Sequence, residues 1–400
     1  MSDDTRTSVT TNGMLWLGAA IGIAEIFTGT LFAPLGWQTG LLAIVLGHLI
    51  GGVMLFLVGR IGAQTGRTAM ETLKIAFGEK GGLFFAVLNV LQLLGWTAVM
   101  IVSGASAINV LFGRPDASVI GGCVFIGLLI AAWLMYGPHS LGRVNSLVVL
   151  GLAALCIFLS YRIATTDVVT SQTLEAISFG AAVELAVAMP LSWLPVISDY
   201  TSRAERPVLS NTVSNISYFI GSCWMYTIGM GAAISTGYTD LSMLMQMMGF
   251  GVIGLGIIVF STVTTTFLDA RSAAISFRSI NTRIAEKPLA LLGTAIGTLV
   301  ACFVPMTSYE SFLYLIGSCF TPMVGILLAE YYLLNHKAVR QAISGVNFII
   351  WCLGFIIYRV VLGMAPVTGI TLPVVLLITL LTYLVHRVLE KEGPVRGLSH

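Results

Sequence analysis

Long apolar runs follow one another through almost the whole of this 400-residue chain, and they restrict what it can fold into. An α-helix needs roughly 20 apolar residues to cross a bilayer, and most of the runs are about that long. They lack the alternation of a membrane β-barrel strand, so we predict an all-α integral membrane protein. Twelve transmembrane helices are expected, near residues 14–33, 40–59, 83–112, 119–136, 147–163, 177–197, 211–236, 249–277, 289–304, 312–334, 345–363 and 368–386.

The composition supports a bilayer as the solvent, because only 10% of the residues are charged and a soluble domain has about 25%. The six cysteines lie in apolar runs without the CxxC spacing of a metal site, so no disulfide framework is expected. The HExxH, GxSxG and P-loop motifs are absent from the sequence. We therefore expect no enzyme, no organic cofactor, no nucleic acid and no obligate protein partner.

The distribution of Lys and Arg predicts the orientation of the spans. If the N-terminus is cytoplasmic, 17 of the 20 basic residues fall on the cytoplasmic side, and only Arg114, Arg162 and Arg359 fall outside. Such an excess of positive charge inside is typical of membrane proteins. It predicts an even number of spans in a bacterial-type inner membrane, with cytoplasmic tails at residues 1–13 and 389–400.

Two of the predicted spans carry signals of a broken helix. In span 1, Glu25 is followed by Thr28-Gly29-Thr30, and span 6 contains Pro190 and Pro195. Proline in a helix interior removes a hydrogen bond, although each proline is also compatible with a simple kink. Interrupted helices at matching places in two halves are typical of an inverted repeat. We predict a five-plus-five arrangement, with a first repeat at residues 14–163, a second at 164–335 and two further spans at 336–388.

Two acids lie inside apolar runs, Glu25 in span 1 and Asp269 in span 8. A charge near the bilayer centre costs about 3 kcal/mol or more unless it has a partner, water or a proton. Such acids are functional candidates, which can accept hydrogen bonds from a solute or carry a coupling proton. The alternative is a structural acid that is hydrogen-bonded to a neighbouring helix.

Gln92 and Trp96 are four residues apart in span 3 and therefore share one helix face. An amide beside an indole suits a flat heteroaromatic ligand, although both side chains are equally compatible with bundle packing. In span 8, hydroxyl residues at 261–266 precede Asp269. Their oxygens can coordinate a monovalent cation, or they can hydrogen-bond neighbouring helices. Glu184, Glu330 and Asp199 are weaker candidates.

Several stretches resemble the nucleobase–cation symporter family, which includes cytosine, allantoin and hydantoin carriers. They are Ile61–Thr68, Ala76–Gly82, the Gln92 to Trp96 segment, and Asp199 to Arg203 at the end of span 6. Ala24–Gly29 and Thr264–Ala270 are most similar to the branch assigned to hydroxymethylpyrimidine, a thiamine precursor.

The resemblance implies two inverted five-helix repeats and sodium-coupled alternating access. The coupling ion is thus expected to be sodium. The resemblance implies that the sodium ligands are the carbonyls of Gly18, Ile21 and Ser261 and the hydroxyls of Thr264 and Thr265. Gln92 and Trp96 correspond to the substrate amide and the stacking indole of the family.

The chain departs from the family at two places. Relatives have an aromatic residue nine positions before the acid that ends span 6, where this chain has Pro190, with Trp193 three residues later. We expect Trp193 to supply the second stacking face. Relatives also carry asparagines where this chain has Thr266 and Leu268, and we expect Glu25 and Asp269 to replace that amide clamp.

The sequence therefore predicts a sodium-coupled importer of a small planar nitrogen heterocycle, with hydroxymethylpyrimidine or a related pyrimidine as the expected substrate. Substrate contacts are expected from Glu25, Gln92, Trp96, Trp193 and Asp269. One alternative is a proton-coupled permease for cytosine and purines or for hydantoin and allantoin. Another, from a different class, is a channel or a sensor.

Overall fold

The structure is a computed structural model that describes residues 6–114, 117–136, 138–165, 176–238, 252–304, 308–364 and 366–392. Within these ranges the regular secondary structure is helical, apart from an isolated bridge between Thr7 and Ala204. A 3-10 turn spans Ala33–Leu35 and a π-helical turn spans Ala329–Leu333. The α-helices are α1 Val9–Ala20, α2 Ile23–Thr30, α3 Gly36–Thr65, α4 Ala69–Phe77, α5 Glu79–Leu111, α6 Ile120–Tyr136, α7 Pro138–Thr165, α8 Phe179–Ser192, α9 Leu194–Thr201, α10 Pro207–Thr236, α11 Val252–Arg278, α12 Glu286–Ala301, α13 Tyr309–Leu328, α14 Gly345–Leu362 and α15 Thr371–Glu392.

The prediction of an all-α protein is confirmed, and each predicted apolar run overlaps a helix or a helix pair in the described residues. Six helical stretches are long and apolar enough to cross a membrane, and the bent pair α1–α2 makes a seventh. The twelve-span count and the division into inverted repeats at 14–163 and 164–335 stay predictions. Residues 249–251 of the predicted eighth span and parts of both predicted tails lie outside the described residues.

The outward surface is apolar, as a helix facing lipid requires. The exposed side chains on α3 and on α14 recur at spacings of three or four residues, which makes one apolar stripe along each helix. These residues are Leu42, Val45, Leu49 and Val53 on α3, and Ile349, Leu353, Ile356 and Val360 on α14.

Spans 1 and 6 are both broken, as predicted, but the first break lies before Glu25 and not at Thr28-Gly29-Thr30, which are helical. The chain bends by 44° between α1 and α2, at Ile21 and Gly22. The second break lies between α8 and α9, where Pro195 has a non-helical ψ of 16°. The side chains of Asn89 and Gln92 on α5 donate to the Pro195 and Ser192 carbonyls at 3.1 and 2.8 Å. Backbone acceptors at the break are thereby satisfied inside the protein, as a bilayer requires.

Glycines allow the broken helices to lie close to their neighbours. A side chain on Gly29 of α2 would collide with the backbone of Tyr226 on α10, and one on Gly229 would collide with the carbonyl of Ile26. Gly51 of α3 is similarly close to the ring of Pro190 on α8. These contacts pack α2 against α10 and hold α3 along α8, which fixes where the two breaks meet.

Glu184 on α8 joins the last two helices to the break region. Its buried carboxylate accepts hydrogen bonds from the Tyr358 hydroxyl at 2.5 Å and the Thr371 hydroxyl at 2.6 Å. The backbone N–H groups of Ile370 and Thr371 donate to it at 2.6 and 2.8 Å. An acid from one helix therefore caps the start of α15, where the helix dipole favours negative charge.

Replacing Glu184 with glutamine is expected to lower the free energy of unfolding by about 2–3 kcal/mol, because an amide nitrogen would face buried donors that need an acceptor. Thermal melting in detergent measures the effect. The control is Glu205→Gln, because Glu205 is an exposed acid in the loop between α9 and α10. Equal melting temperatures for the two variants would contradict a capping role for Glu184.

Candidate functional site

A small central cavity lies where the two broken helices meet α5 and α11. Its volume is about 20 Å³, which holds about one water molecule. Five of the ten residues predicted for the substrate and cation sites line it: Glu25, Trp96, Trp193, Thr265 and Asp269. The remaining lining residues are Ala19, Ala24, Leu93, Met100, Met189 and Ser192.

The two acids reach the cavity from different helices: Glu25 from α2 of the first broken span, and Asp269 from α11. Glu25 lies in the first turn of α2, and its carboxyl group folds back against Gly22, where a Cβ would lie only 2.7 Å from it. Asp269 lies on α11 one turn after Thr265, so the carboxyl and hydroxyl groups share a helix face. Only 5% of Glu25 and 4% of Asp269 are exposed. Among the described residues, neither acid forms an ion pair.

Each indole of the cavity is held by other aromatic rings. Trp96 packs edge-on against Phe312 at 5.6 Å and Tyr309 at 6.1 Å between ring centroids. Trp193 packs edge-on against Trp16 at 5.4 Å. The structure places Trp193 on the cavity, at the residue where α8 ends and span 6 is broken.

Gln92 lies beside the cavity and not among its lining residues. Its amide nitrogen donates to the Ser192 carbonyl at 2.8 Å and to the Asn89 side-chain oxygen at 3.0 Å. Its side-chain oxygen is buried and has no hydrogen-bond partner. Gln92 therefore braces the break of span 6 in this structure, and its contact with a ligand stays a prediction.

Sequence reasoning missed Asn89, which performs the same bracing three residues earlier on α5. Its spacing from Gln92 was the available signal, since residues three apart share a helix face.

The residues of the predicted cation site have different surroundings. Thr265 lines the cavity, and Thr264 beside it is half-buried. Ile21 lies at the bend after α1 and packs with the apolar side chains of α7 and α10. Gly18 lies in the last turn of α1. Ser261 lies within α11, and its side chain is outside the described part of the chain. A cation site at these residues stays a prediction.

A second, apolar cavity of about 190 Å³ lies beyond Trp96. Tyr309 and Phe312, which pack on Trp96, also line this cavity. The Tyr309 hydroxyl is hydrogen-bonded to the Thr28 hydroxyl at 2.8 Å, on the helix that carries Glu25. Ring packing between the two cavities therefore connects α2, α5 and α13.

The weaker acidic candidates lie away from the central cavity. Asp199 accepts a hydrogen bond from the Ala69 backbone at 2.8 Å and so caps α4. The Glu330 carboxylate, in the π-helical turn, is hydrogen-bonded to the His336 ring at 2.5 Å and accepts a hydrogen bond from the Asn347 amide at 2.6 Å. Asp199, Glu330 and Glu184 therefore form hydrogen bonds that join helices to one another, and they do not contribute to a solute site.

Comparisons with known proteins agree with this fold. A family model described as a permease for cytosine/purines, uracil, thiamine and allantoin matches residues 2–385. The cytosine permease of Escherichia coli strain K12 is 24% identical over 370 residues, which cover 90% of this chain and 85% of the permease.

Two solved structures of Mhp1, a transporter of the nucleobase-cation-symport-1 family, have the same fold. The structure of the inward-facing conformation aligns with a TM-score of 0.79 at 15% sequence identity. The alignment covers 97% of this chain and 92% of the Mhp1 chain. The structure of the closed conformation, with bromovinylhydantoin bound, aligns with a TM-score of 0.77 at 16% sequence identity. The alignment covers 98% of this chain and 95% of the Mhp1 chain.

These relatives are permeases and transporters, in agreement with the expectation of a transporter rather than an enzyme. The chain has the multi-pass helical architecture of its relatives. Since the family model covers nearly all of its length, this protein belongs to the nucleobase–cation symporter family of membrane permeases.

Proposed function

We propose that this protein imports a small planar nitrogen heterocycle, of the hydroxymethylpyrimidine or a related pyrimidine type, in symport with sodium. The observation that carries the proposal is the meeting of two indoles and two carboxyl groups in one cavity between both helix breaks. Indole faces stack on a flat ring, and carboxyl oxygens accept hydrogen bonds from its N–H groups. The bound bromovinylhydantoin of the Mhp1 structure is also a heterocyclic ligand.

The size of the cavity agrees with a mechanism of alternating access. A space that holds about one water molecule is too small for a pyrimidine, so ligand binding requires the walls to move apart. The walls include both broken helices, α1–α2 and α8–α9, whose breaks are natural hinges. Ligand and ion then need only bind one arrangement of these helices more tightly than the other.

Sodium coupling is proposed from the position of Thr265. Its hydroxyl group lies on the same face of α11 as Asp269, in a cavity that is also lined by Ala19 and Ala24 on either side of the first break. Carbonyls near a helix break and hydroxyl oxygens are hard ligands of the kind that broken-helix transporters use for sodium. Ion binding here would link span 1 to span 8.

Uptake into proteoliposomes tests the proposal. With radiolabelled 4-amino-5-hydroxymethyl-2-methylpyrimidine, an inward sodium gradient is expected to raise the initial rate at least about tenfold over an equal choline gradient. Counterflow by unlabelled cytosine and hydantoin ranks the competing substrates. Equal rates in sodium and choline would reject sodium coupling.

Proton coupling is the second candidate, and the two carboxyl groups without an ion pair favour it. Either acid could carry the proton across with the ligand. A rate that follows an imposed pH gradient in the absence of sodium selects this mechanism. Leakage of the solute without saturation or counterflow would instead indicate a channel.

A further inference from the structure

We infer that the heterocycle is bound as its ring-protonated cation, with the positive charge held between Glu25 and Asp269. This inference rests on the proposed function and specifies the charge state of the ligand. It follows from the charges around the cavity, from the hydrogen-bonding groups left free there, and from the aromatic walls.

The charges around the cavity are one-sided. Its lining includes two carboxyl groups and no Lys, Arg or His. Arg271, two residues after Asp269, is ion-paired with Glu286 at 2.7 Å. A buried carboxylate without a partner is strongly disfavoured, so each acid here needs a proton or a bound cation.

Tyrosines lie within electrostatic range of both acids. Glu25 interacts with Tyr218 and Tyr226 of α10 and with Tyr309 of α13, and Asp269 interacts with Tyr200 of α9. A neutral phenol supplies no positive charge. Among the described residues, no basic side chain is paired with either acid, so its negative charge has to be neutralised by a proton, a metal cation or the ligand.

The hydrogen-bonding groups favour a ligand with donors. The amide nitrogen of Gln92 is already committed to Ser192 and Asn89, and only its oxygen lacks a partner. The Ser192 hydroxyl donates to the Met189 carbonyl at 2.7 Å. The indole N–H of Trp96 is a buried donor without a partner. Acceptors, including both carboxyl groups, thus outnumber the free donors, which disfavours a diketo ring.

A protonated 4-aminopyrimidine fits this arrangement. Its protonated ring nitrogen lies across the ring from its amino group, so the two N–H donors point in opposite directions and one can donate to each carboxyl group. Its delocalised positive charge is attracted to the faces of Trp96 and Trp193. The proton balance is simple: the ring nitrogen forms an N–H bond with the proton of one carboxylic acid, whose O–H bond breaks. That release leaves a carboxylate paired with the ligand cation.

Binding of ligands that share a shape but differ in basicity tests the inference. We compare 4-amino-2-methylpyrimidine with its 5-fluoro analogue, whose ring nitrogen is less basic, by calorimetry on the purified full-length protein in sodium buffer. Affinity is expected to fall about tenfold for each tenfold loss of ring basicity, because less of the ligand is available as the cation. In Glu25→Gln and Asp269→Asn proteins with unchanged melting behaviour, this dependence is expected to weaken.

The outcomes separate this inference from the proposed function. Equal affinity for both analogues would overturn it, as would preferential binding of neutral uracil, while transport of a heterocycle would stand. Repeating the series in choline identifies the source of compensation, since a dependence on basicity that appears only without sodium would mean that sodium neutralises the acids. That result would also overturn the inference. Failure of all heterocycles to bind would instead reject the proposed function.

Discussion

Replacing Glu25 with glutamine, or Asp269 with asparagine, is expected to weaken ligand binding roughly 10- to 100-fold. Each amide keeps the shape of the acid but removes a charge-assisted hydrogen bond, which contributes about 1.5–3 kcal/mol. Each also turns a donor toward the N–H groups of the ligand. Calorimetry with an aminopyrimidine measures the loss, and uptake into proteoliposomes should fall in parallel.

The matched control is Glu205→Gln, because Glu205 is an exposed acid in the loop between α9 and α10. It is expected to bind and transport normally. Melting curves distinguish lost recognition from lost folding, since the acids are surrounded by buried side chains. If both acid variants bound an aminopyrimidine as tightly as the parent protein, the proposed role of the two carboxyl groups would be wrong.

A Thr265→Val protein is expected to lose most of its sodium stimulation, with the sodium concentration for half-maximal uptake raised roughly 10-fold or more. Valine has nearly the same shape but lacks the oxygen proposed to bind the ion, and a polar contact with a charge contributes about 1.5–3 kcal/mol. Thr265→Ser should retain the response because it retains the hydroxyl. Initial uptake rates over a range of sodium concentrations provide the measurement.

Thr266→Val is the control on the next residue of the same helix. The Thr266 side chain is fully buried, donates to the Thr262 carbonyl at 2.6 Å within α11, and is not among the residues that line the cavity. Its loss should leave sodium dependence unchanged. A Thr265→Val protein with the same sodium dependence as the parent would exclude this hydroxyl as an ion ligand.

Helix positions were predictable because a bilayer imposes a local rule. Each spanning segment must satisfy its own backbone hydrogen bonds and present apolar side chains, so the apolar runs locate the helices. The break of span 6 was predictable for a related reason, since Pro195 cannot donate a hydrogen bond within a helix. The bend at Ile21–Gly22 lacks a proline, so its exact position was not predictable. The polar residues from Glu25 to Thr30 indicated only that span 1 is interrupted.

Candidate site residues were predictable where an isolated residue conflicts with its surroundings. Glu25 and Asp269 are acids in apolar runs, and both line the cavity. The environment of Gln92 was not predictable in this way, because a polar side chain in a span can face either a solute or a neighbouring helix. Only the position of the Ser192 carbonyl on α8 shows which one it contacts here.

The sequence by itself determined that this chain is a helical membrane protein with two interrupted helices and acids that require partners, because hydropathy, proline geometry and the cost of burying charge are properties of short segments. The tertiary structure decided which of these groups meet. Residues as distant as Glu25, Trp96, Trp193 and Asp269 share one cavity, and Glu184 instead caps α15. Such meetings depend on close helix packing at positions such as Gly29 and Gly229, and that packing is a property of helix pairs.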